Sequence, residues 1–276
     1  MLSPDGTHAA GRDAGPQAKG DIWLLDSVRG VRTRLTFRQS PGSYPVWSPD
    51  GARIVYSAGS SLDAIYEKAA SGAGDEKELL KTPGEIKTPT SVSHDGRFLL
   101  LYTINTPKTG SDLWVLPLEG DRKPVRLLST DFNETQGSFS PDGRWMAYRS
   151  NESGRPEIYV RPFIVSQTSG PSLGDGKWEV SKDGSGVAIP KWRNDGKELI
   201  FVGANNSVMA VDVSGTGAAF QMGAPQQLFT LPTSPSWEVS GDGKRFLLTV
   251  TPGQGQQNSQ TPITVVLNWQ ADIKRP

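Results

Sequence analysis

Three sets of residues have the types and spacing to do chemistry: six aspartates, one serine and two histidines. The aspartates are Asp5, Asp50, Asp95, Asp142, Asp195 and Asp242, spaced 45, 45, 47, 53 and 47 residues apart. A ring of such carboxylates could move protons or hold a cation. Each, however, stands immediately before a glycine, in turns such as Ser48-Pro49-Asp50-Gly51 and Ser140-Pro141-Asp142-Gly143. Proline presets the first turn position, aspartate bonds its own backbone and glycine accepts positive φ. Turn formation therefore accounts for all six. A calcium loop needs oxygen ligands at alternating positions, and no such run is present. Ser172, in Gly170-Pro171-Ser172-Leu173-Gly174, matches the pattern of a hydrolase nucleophile elbow. That elbow leads from a strand into a helix, and its acid and histidine follow the serine. Here no helical periodicity follows, and His8 and His94 both precede it, so the serine is predicted in a polar loop. His94 replaces the turn proline of three other repeats and is expected at the surface. With two histidines and no cysteine, little is left for a transition-metal site. Gly215-Thr216-Gly217 and Gly253-Gln254-Gly255 lack the third glycine of a dinucleotide loop. The sequence reading assigns no catalytic residue, metal or cofactor, and expects the chain not to be an enzyme.

Charge narrows the partners. The 29 basic and 29 acidic residues balance, whereas a nucleic-acid binder carries a basic face. The most basic run, Arg122-Lys123-Pro124-Val125-Arg126, sits beside Glu119 and Asp121 and reads as solvated surface. No apolar run approaches the roughly 18 residues of a membrane span, so no membrane insertion by this segment is expected.

A period of 45 to 53 residues is a repeat architecture. In the second repeat, Tyr44–Ser48 forms a candidate strand, Pro49-Asp50-Gly51 a turn, and Arg53–Ser57 a second strand. Ala64–Lys68 and Glu78–Lys81 follow as third and fourth. Four short strands in about 45 residues make one propeller blade. Equivalent second strands are Arg97–Tyr102, Arg144–Tyr148, Glu198–Val202 and Arg245–Thr249. Third strands include Asp21–Leu25, Asp112–Leu116, Glu157–Val160 and Ile263–Leu267. Several are continuous apolar runs, as expected for strands buried on both faces. The expected fold is all-β, a six-bladed β-propeller of four-stranded antiparallel blades, as one domain over 1–276. In the fifth repeat the register is set by Asp195, which makes Ser166–Lys177 a long connection. The first and last blades are expected to be incomplete. Leu2 ends a strand whose earlier residues are absent, the strand around Thr7–Arg12 is weak, and the last blade stops at its third strand. Unpaired edges invite association, so the chain is expected to be part of a longer parent; an open ring is the alternative.

The Ser-Pro-Asp-Gly turn, followed by an apolar strand and then Asp21-Ile22-Trp23 or Asp112-Leu113-Trp114, resembles the TolB-like β-propeller repeat, a bacterial relative of the WD repeat. Asp112–Leu118, Ser140–Trp145 and Ile263–Trp269 together are similar to propellers C-terminal to bacterial transmembrane serine/threonine kinases. That resemblance implies a kinase and a membrane helix upstream and a propeller outside the cytoplasm. His94 and Gly241 depart from the pattern at the proline position.

A binding or sensor module within a signalling protein is the function expected, recognising a protein, peptide or small ligand at one channel mouth. Binding groups sit on loops held by a rigid scaffold. The residues chosen on the segments entering the first strands are Tyr44, Asn133, Glu134, Gln136 and Trp237. Trp23, Trp47, Trp114 and Trp192 fall at repeat positions that suit blade packing, while Trp178 and Trp237 do not declare a role. The alternatives are the gating propeller of a prolyl-oligopeptidase-like peptidase and a TolB-like periplasmic interaction protein.

Overall fold

Each repeat turns where a serine, an aspartate and a glycine close a small network. In the computed structural model the Ser140 hydroxyl donates to Asp142 at 2.6 Å and accepts the Trp145 amide at 3.0 Å. Asp142 accepts the Arg144 amide, and Gly143 turns the chain at φ 69. Ser3–Asp5, Ser48–Asp50, Ser93–Asp95 and Ser240–Asp242 repeat the bond. In the fifth repeat the Arg193 guanidinium takes the place of serine and donates to both oxygens of Asp195. The structure describes residues 1–13, 20–104, 106, 108–186, 189–216, 219–231, 236–249 and 263–266. Expected features at Gly253–Gly255 and Leu267–Trp269 lie outside these.

The turn network makes the fold acid-sensitive. Donors hold the carboxyls of Asp5, Asp50, Asp195 and Asp242 below the usual range: the serine hydroxyl in three repeats, Arg193 in the fifth. At Asp95 and Asp142 burial pushes the other way, but Ser93, Ser140 and the following arginine outweigh it. A depressed folded value stabilises the protein above the unfolded carboxyl value, near 3.9, and that stability is lost as pH falls through it. The melting temperature should therefore hold between pH 7 and 5 and fall steeply below about pH 4. Asp142→Asn should flatten part of that fall; identical acid profiles would refute the assignment.

The described strands form six antiparallel sheets. In the first, Leu2 bridges Ala9, and His8–Arg12, Ile22–Asp26 and Arg32–Arg34 follow. The second is Gly42–Trp47, Arg53–Ala58, Ala64–Ala69 and Lys77–Lys81. The third is Ile86–Val92, Phe98–Ile104, Leu113–Pro117 and Val125–Leu128. The fourth is Glu134–Phe139, Trp145–Ser150, Glu157–Ser166 and Gly170–Leu173, with Trp178–Glu179 also on Glu157–Ser166. The fifth is Lys191–Trp192, Glu198–Val202, Ser207–Thr216 and Ala219–Met222, with Gln226–Thr230 also on Ser207–Thr216. The last described sheet is Trp237–Val239, Phe246–Thr249 and Ile263–Val266.

Two local expectations change. His8–Arg12 is a full strand, paired residue for residue with Ile22–Asp26. Its signal is weak because its buried members are small: Ala9, on the cavity wall, and Ala10, in the seam with the second sheet. Ser166–Lys177 is not all loop. The third strand of its sheet runs on and folds back as a hairpin in which Ser172 pairs with Ile164. Ser172 is thus a strand residue, and the single helical turn among the described residues is Ala204–Asn206.

Alternate residues of the second strands pack into different seams. Leu100 and Phe98 face the fourth sheet, Leu99 and Leu101 the second. Five apolar cores lie between consecutive sheets, from first to last. Inner-strand tryptophans stitch two of these seams. Trp47 Nε1 donates to the Met1 carbonyl and Trp192 Nε1 to that of Ser138, each four residues before the preceding repeat's aspartate. Among the described residues no such core joins the last sheet to the first; a cavity lies there and continues onto the axis.

Candidate functional site

The cavity is built from one repeat position. Tyr44, Pro89, Gln136, Ile189 and Ser236 each lie six residues before a repeat aspartate, and all five line a single cavity of about 680 Å³. They come from five different sheets, on or beside first strands that pack in sequence around the axis. At Tyr44 and Gln136, which have no cross-strand partner, a bulge accompanies the inward turn; Pro89, beside a similar slip, keeps its pairing with Leu101. The ladder slips between Ser43 and Val46, between Pro89 and Ser91, and between Thr135 and Ser138. An extra residue in a bulge is left without a cross-strand partner and is re-aimed. Tyr44 and Gln136 pay for this with φ 55 and 57, a left-handed conformation that costs a non-glycine residue about 1 kcal/mol or more. Backbone strain of this kind gathers at binding and catalytic sites.

Charge and aromatic surface complete the wall. Lys191 and Glu238, each four residues before its repeat aspartate, pair across the fifth and last sheets at 3.0 Å. Burial pushes the Glu238 carboxyl up, but Lys191 and the Met1 amino group outweigh it, and the group sits below its ordinary value. Trp237 stacks on Phe246 with centroids 6.2 Å apart. Its Nε1 is buried without a partner, as is Gln136 Oε1, both on lining residues. Arg32 lies over Trp23 at 5.7 Å, and both line the first sheet's side. Burial raises the Tyr102 hydroxyl.

Of the five residues chosen from the sequence, Tyr44, Gln136 and Trp237 meet in this cavity. Asn133 and Glu134 do not line it. Asn133 is exposed on the entering loop, where its amide donates to Asn151. Glu134 is buried, its carboxylate turned back onto Thr130 and raised by burial. Sequence reasoning missed Arg12, Thr88, Pro89, Tyr102, Lys191 and Glu238. Counting from the repeat aspartates would have found most of them. Position minus six gives Pro89, minus four gives Lys191 and Glu238, and plus seven gives Arg12 and Tyr102.

These features define an all-β propeller with a cavity of mixed apolar, aromatic and charged lining on and beside its axis. The fold is TolB-like. The chain superposes on TolB from Acinetobacter baumannii with a TM-score of 0.69 at 17% identity, covering 96% of this chain and 62% of that one. A putative TolB from Agrobacterium tumefaciens gives 0.59 at 18%, covering 80% and 78%. By sequence, an uncharacterised protein of Agrobacterium fabrum is 24% identical over 207 residues, 73% of this chain and 68% of the relative. The uncharacterised peptidase YuxL of Bacillus subtilis is 24% identical over 209 residues, 73% of this chain but 28% of its own length. No family model matches the chain.

The expectation that the chain is not an enzyme needs correction. Besides the peptidase YuxL, proteins of similar fold include an oligogalacturonate lyase in complex with manganese (TM-score 0.63, 14% identity, 98% of this chain and 73% of that one) and a putative 6-phosphogluconolactonase from Bacteroides uniformis (0.59, 16%, 93% and 80%). At these identities the likeness is one of fold. It places enzymes among the proteins that share this fold and removes the ground for excluding catalysis.

Proposed function

We propose that the six sheets form one six-bladed ring, and that it binds a small ligand or a peptide segment in the axial cavity, with the bulge residues reading it. The observation that carries this is the convergence of one repeat position, from five sheets, on one cavity. The repeat fixes the turn residues and leaves this position free. Tyrosine, proline, glutamine, isoleucine and serine occupy it in turn, as recognition requires and regular packing does not. Strain at Tyr44 and Gln136 supports the same reading. The interaction role fits the TolB-like fold, and the kinase-type resemblance suggests a signalling parent with the propeller outside the cytoplasm. Among the described residues no helix is long and apolar enough to cross a membrane.

The match to 28% of YuxL favours a second reading, a propeller serving a peptidase domain elsewhere in a longer chain. A fragment screen by ligand-observed NMR tests the cavity itself. Hits should weaken by about tenfold or more when Gln136→Trp fills the axis. Hits that bind equally well to the filled variant would sink the reading.

A further inference from the structure

The inner edge of the first sheet is paired for only part of its length. In the next three sheets the residue seven after the repeat aspartate pairs with the one seven before it. Ser57 pairs with Ser43, Tyr102 with Thr88 and Arg149 with Thr135. Arg12 holds this position in the first sheet. There the Ser3 amide donates to the His8 carbonyl, and Met1 and Ala10 exchange both backbone bonds. Bonding to Ile22–Asp26 falls on the alternate residues, since Ser27 donates to Thr7 and Asp13 to Asp21. Arg12 follows His8 and Ala10 in this alternation, so its amide and carbonyl point away from Ile22, to the inner edge. Among the described residues neither has a partner. Gly11 and Arg12 are exposed and line the axial cavity. A side-chain carbon placed on Gly11 would meet nothing within 4 Å, so the edge has room beside it.

An unpaired strand edge is a template for another strand, and extended peptides bind by adding to one. The surroundings say what kind of peptide fits. Trp23 and Leu25, half-buried on the second strand, and Leu247, on the last sheet, line the same cavity. Alternate side chains of an added strand would therefore meet apolar surface. Arg12 and Arg32 are exposed on the cavity wall, and neither forms an ion pair among the described residues. Lys191, by contrast, is taken by Glu238. Two uncommitted cations favour an acid on the incoming segment. In the fourth sheet the residue after the partner of Arg149 is Gln136. An added strand would thus bring its own side chain to the first sheet's place in the ring of variable residues.

We propose that an extended acidic peptide segment of a partner protein adds to the first sheet as its inner strand, bonding the Arg12 backbone and setting a carboxylate against Arg12 and Arg32. The inference rests on the cavity reading above and names the partner and its mode of docking. Three capped, fluorescein-labelled pentapeptides test it on the full chain by fluorescence anisotropy. They are Ser-Val-Glu-Val-Thr, Ser-Val-Lys-Val-Thr, and the first with its three central amides N-methylated. The methylated peptide should bind about tenfold more weakly than its parent, as expected for one or two lost backbone bonds. The lysine peptide should bind about threefold more weakly, a gap that narrows in about 1 M salt. In hydrogen exchange the glutamate peptide should slow the Arg12 amide. Arg12→Pro removes that amide and leaves the ladder to Ile22–Asp26 intact, because the amide takes no part in it; it should erase the methylation effect. Arg12→Gln keeps the amide, so it should reduce the glutamate preference and retain the methylation effect. Circular dichroism checks that both variants fold, and the comparison of peptides on the unmodified chain stands even where one does not. Equal binding of the parent and methylated peptides, or no binding by any of the three, overturns the proposal. So does protection of the Arg12 amide by self-association without peptide, which would assign the edge to a second copy. If no peptide binds while Gln136→Trp still weakens the fragment hits, the cavity reading survives and only strand addition falls.

Discussion

Trp145→Ala should unfold more easily by about 3–5 kcal/mol, the largest single effect expected in the packed seams. Trp145 is 3% exposed on the second strand of the fourth sheet. Its ring meets Trp178 edge-on at 5.5 Å and lies 5.1 Å from Phe220. Around them close Ile158, Val160, Leu199, Phe201, Val211 and Val213, from the fourth and fifth sheets. Truncation removes the transfer energy of an indole and leaves a cavity that neighbours from two rigid sheets cannot collapse to fill. The backbone at this point is independently held, because the Trp145 amide donates to the Ser140 hydroxyl. The loss should therefore appear as a lower denaturant midpoint with an unchanged slope. Trp145→Phe should recover part of it. Hydrogen exchange should quicken first in the fourth and fifth sheets, since blades depend mainly on their neighbours. A midpoint change worth less than about 1 kcal/mol would show that the seam is looser than its geometry states.

The same comparison of side chain and backbone explains what could be read in advance. The turns were legible because Ser-Pro-Asp-Gly is a local code: every bond it makes falls within five residues, as Ser140, Asp142 and Trp145 show. The strands were legible where they carry branched or aromatic residues, as in Phe98–Ile104. His8–Arg12 was harder, because alanine and glycine give no strand signal and only pairing with Ile22–Asp26 makes them one. The hairpin at Ser172 was hidden because its partner, the extension of Glu157–Ser166 beyond the blade, is a tertiary feature.

The site was partly legible for a different reason. Tyr44, Gln136 and Trp237 could be chosen as polar or aromatic residues near strand entries, and they do converge. Asn133 and Glu134 satisfied the same criterion yet sit one step outside, because the slip between Thr135 and Ser138 turns Gln136, not the entering loop, inward. A bulge is a register slip between two strands and leaves no mark in either strand alone. Pro89 and Ile189 occupy the same ring without being polar, so residue type could not mark them, although counting back from Asp95 and Asp195 does. The repeat aspartates thus serve as the ruler that locates the variable ring.

Glu238→Ala should cost about 3 kcal/mol, and Lys191→Met combined with Glu238→Leu should restore most of it. The two side chains are 15% and 17% exposed and meet at 3.0 Å in the cavity wall. Removing the carboxylate alone strands the Lys191 ammonium in a poorly hydrated site, and that uncompensated charge accounts for most of the loss. Removing both charges takes away the desolvation penalty together with the attraction, so a cycle of single and double variants should show strong coupling. The pH dependence has a definite sign. Burial opposes ionisation of Glu238, but Lys191 and the Met1 amino group prevail and its folded value is depressed. Its contribution is therefore present above the ordinary glutamate value near 4.3 and is lost as pH falls through and below it. Lys191→Met/Glu238→Leu should lack that part of the acid transition while keeping the part due to the repeat aspartates. The pair joins the fifth sheet to the last across the wall in which Trp237 and Gln136 also stand. An apolar replacement that restores stability but alters which probes enter the cavity would assign the pair to recognition. Additive single losses, with no coupling between the two positions, would remove it from both roles.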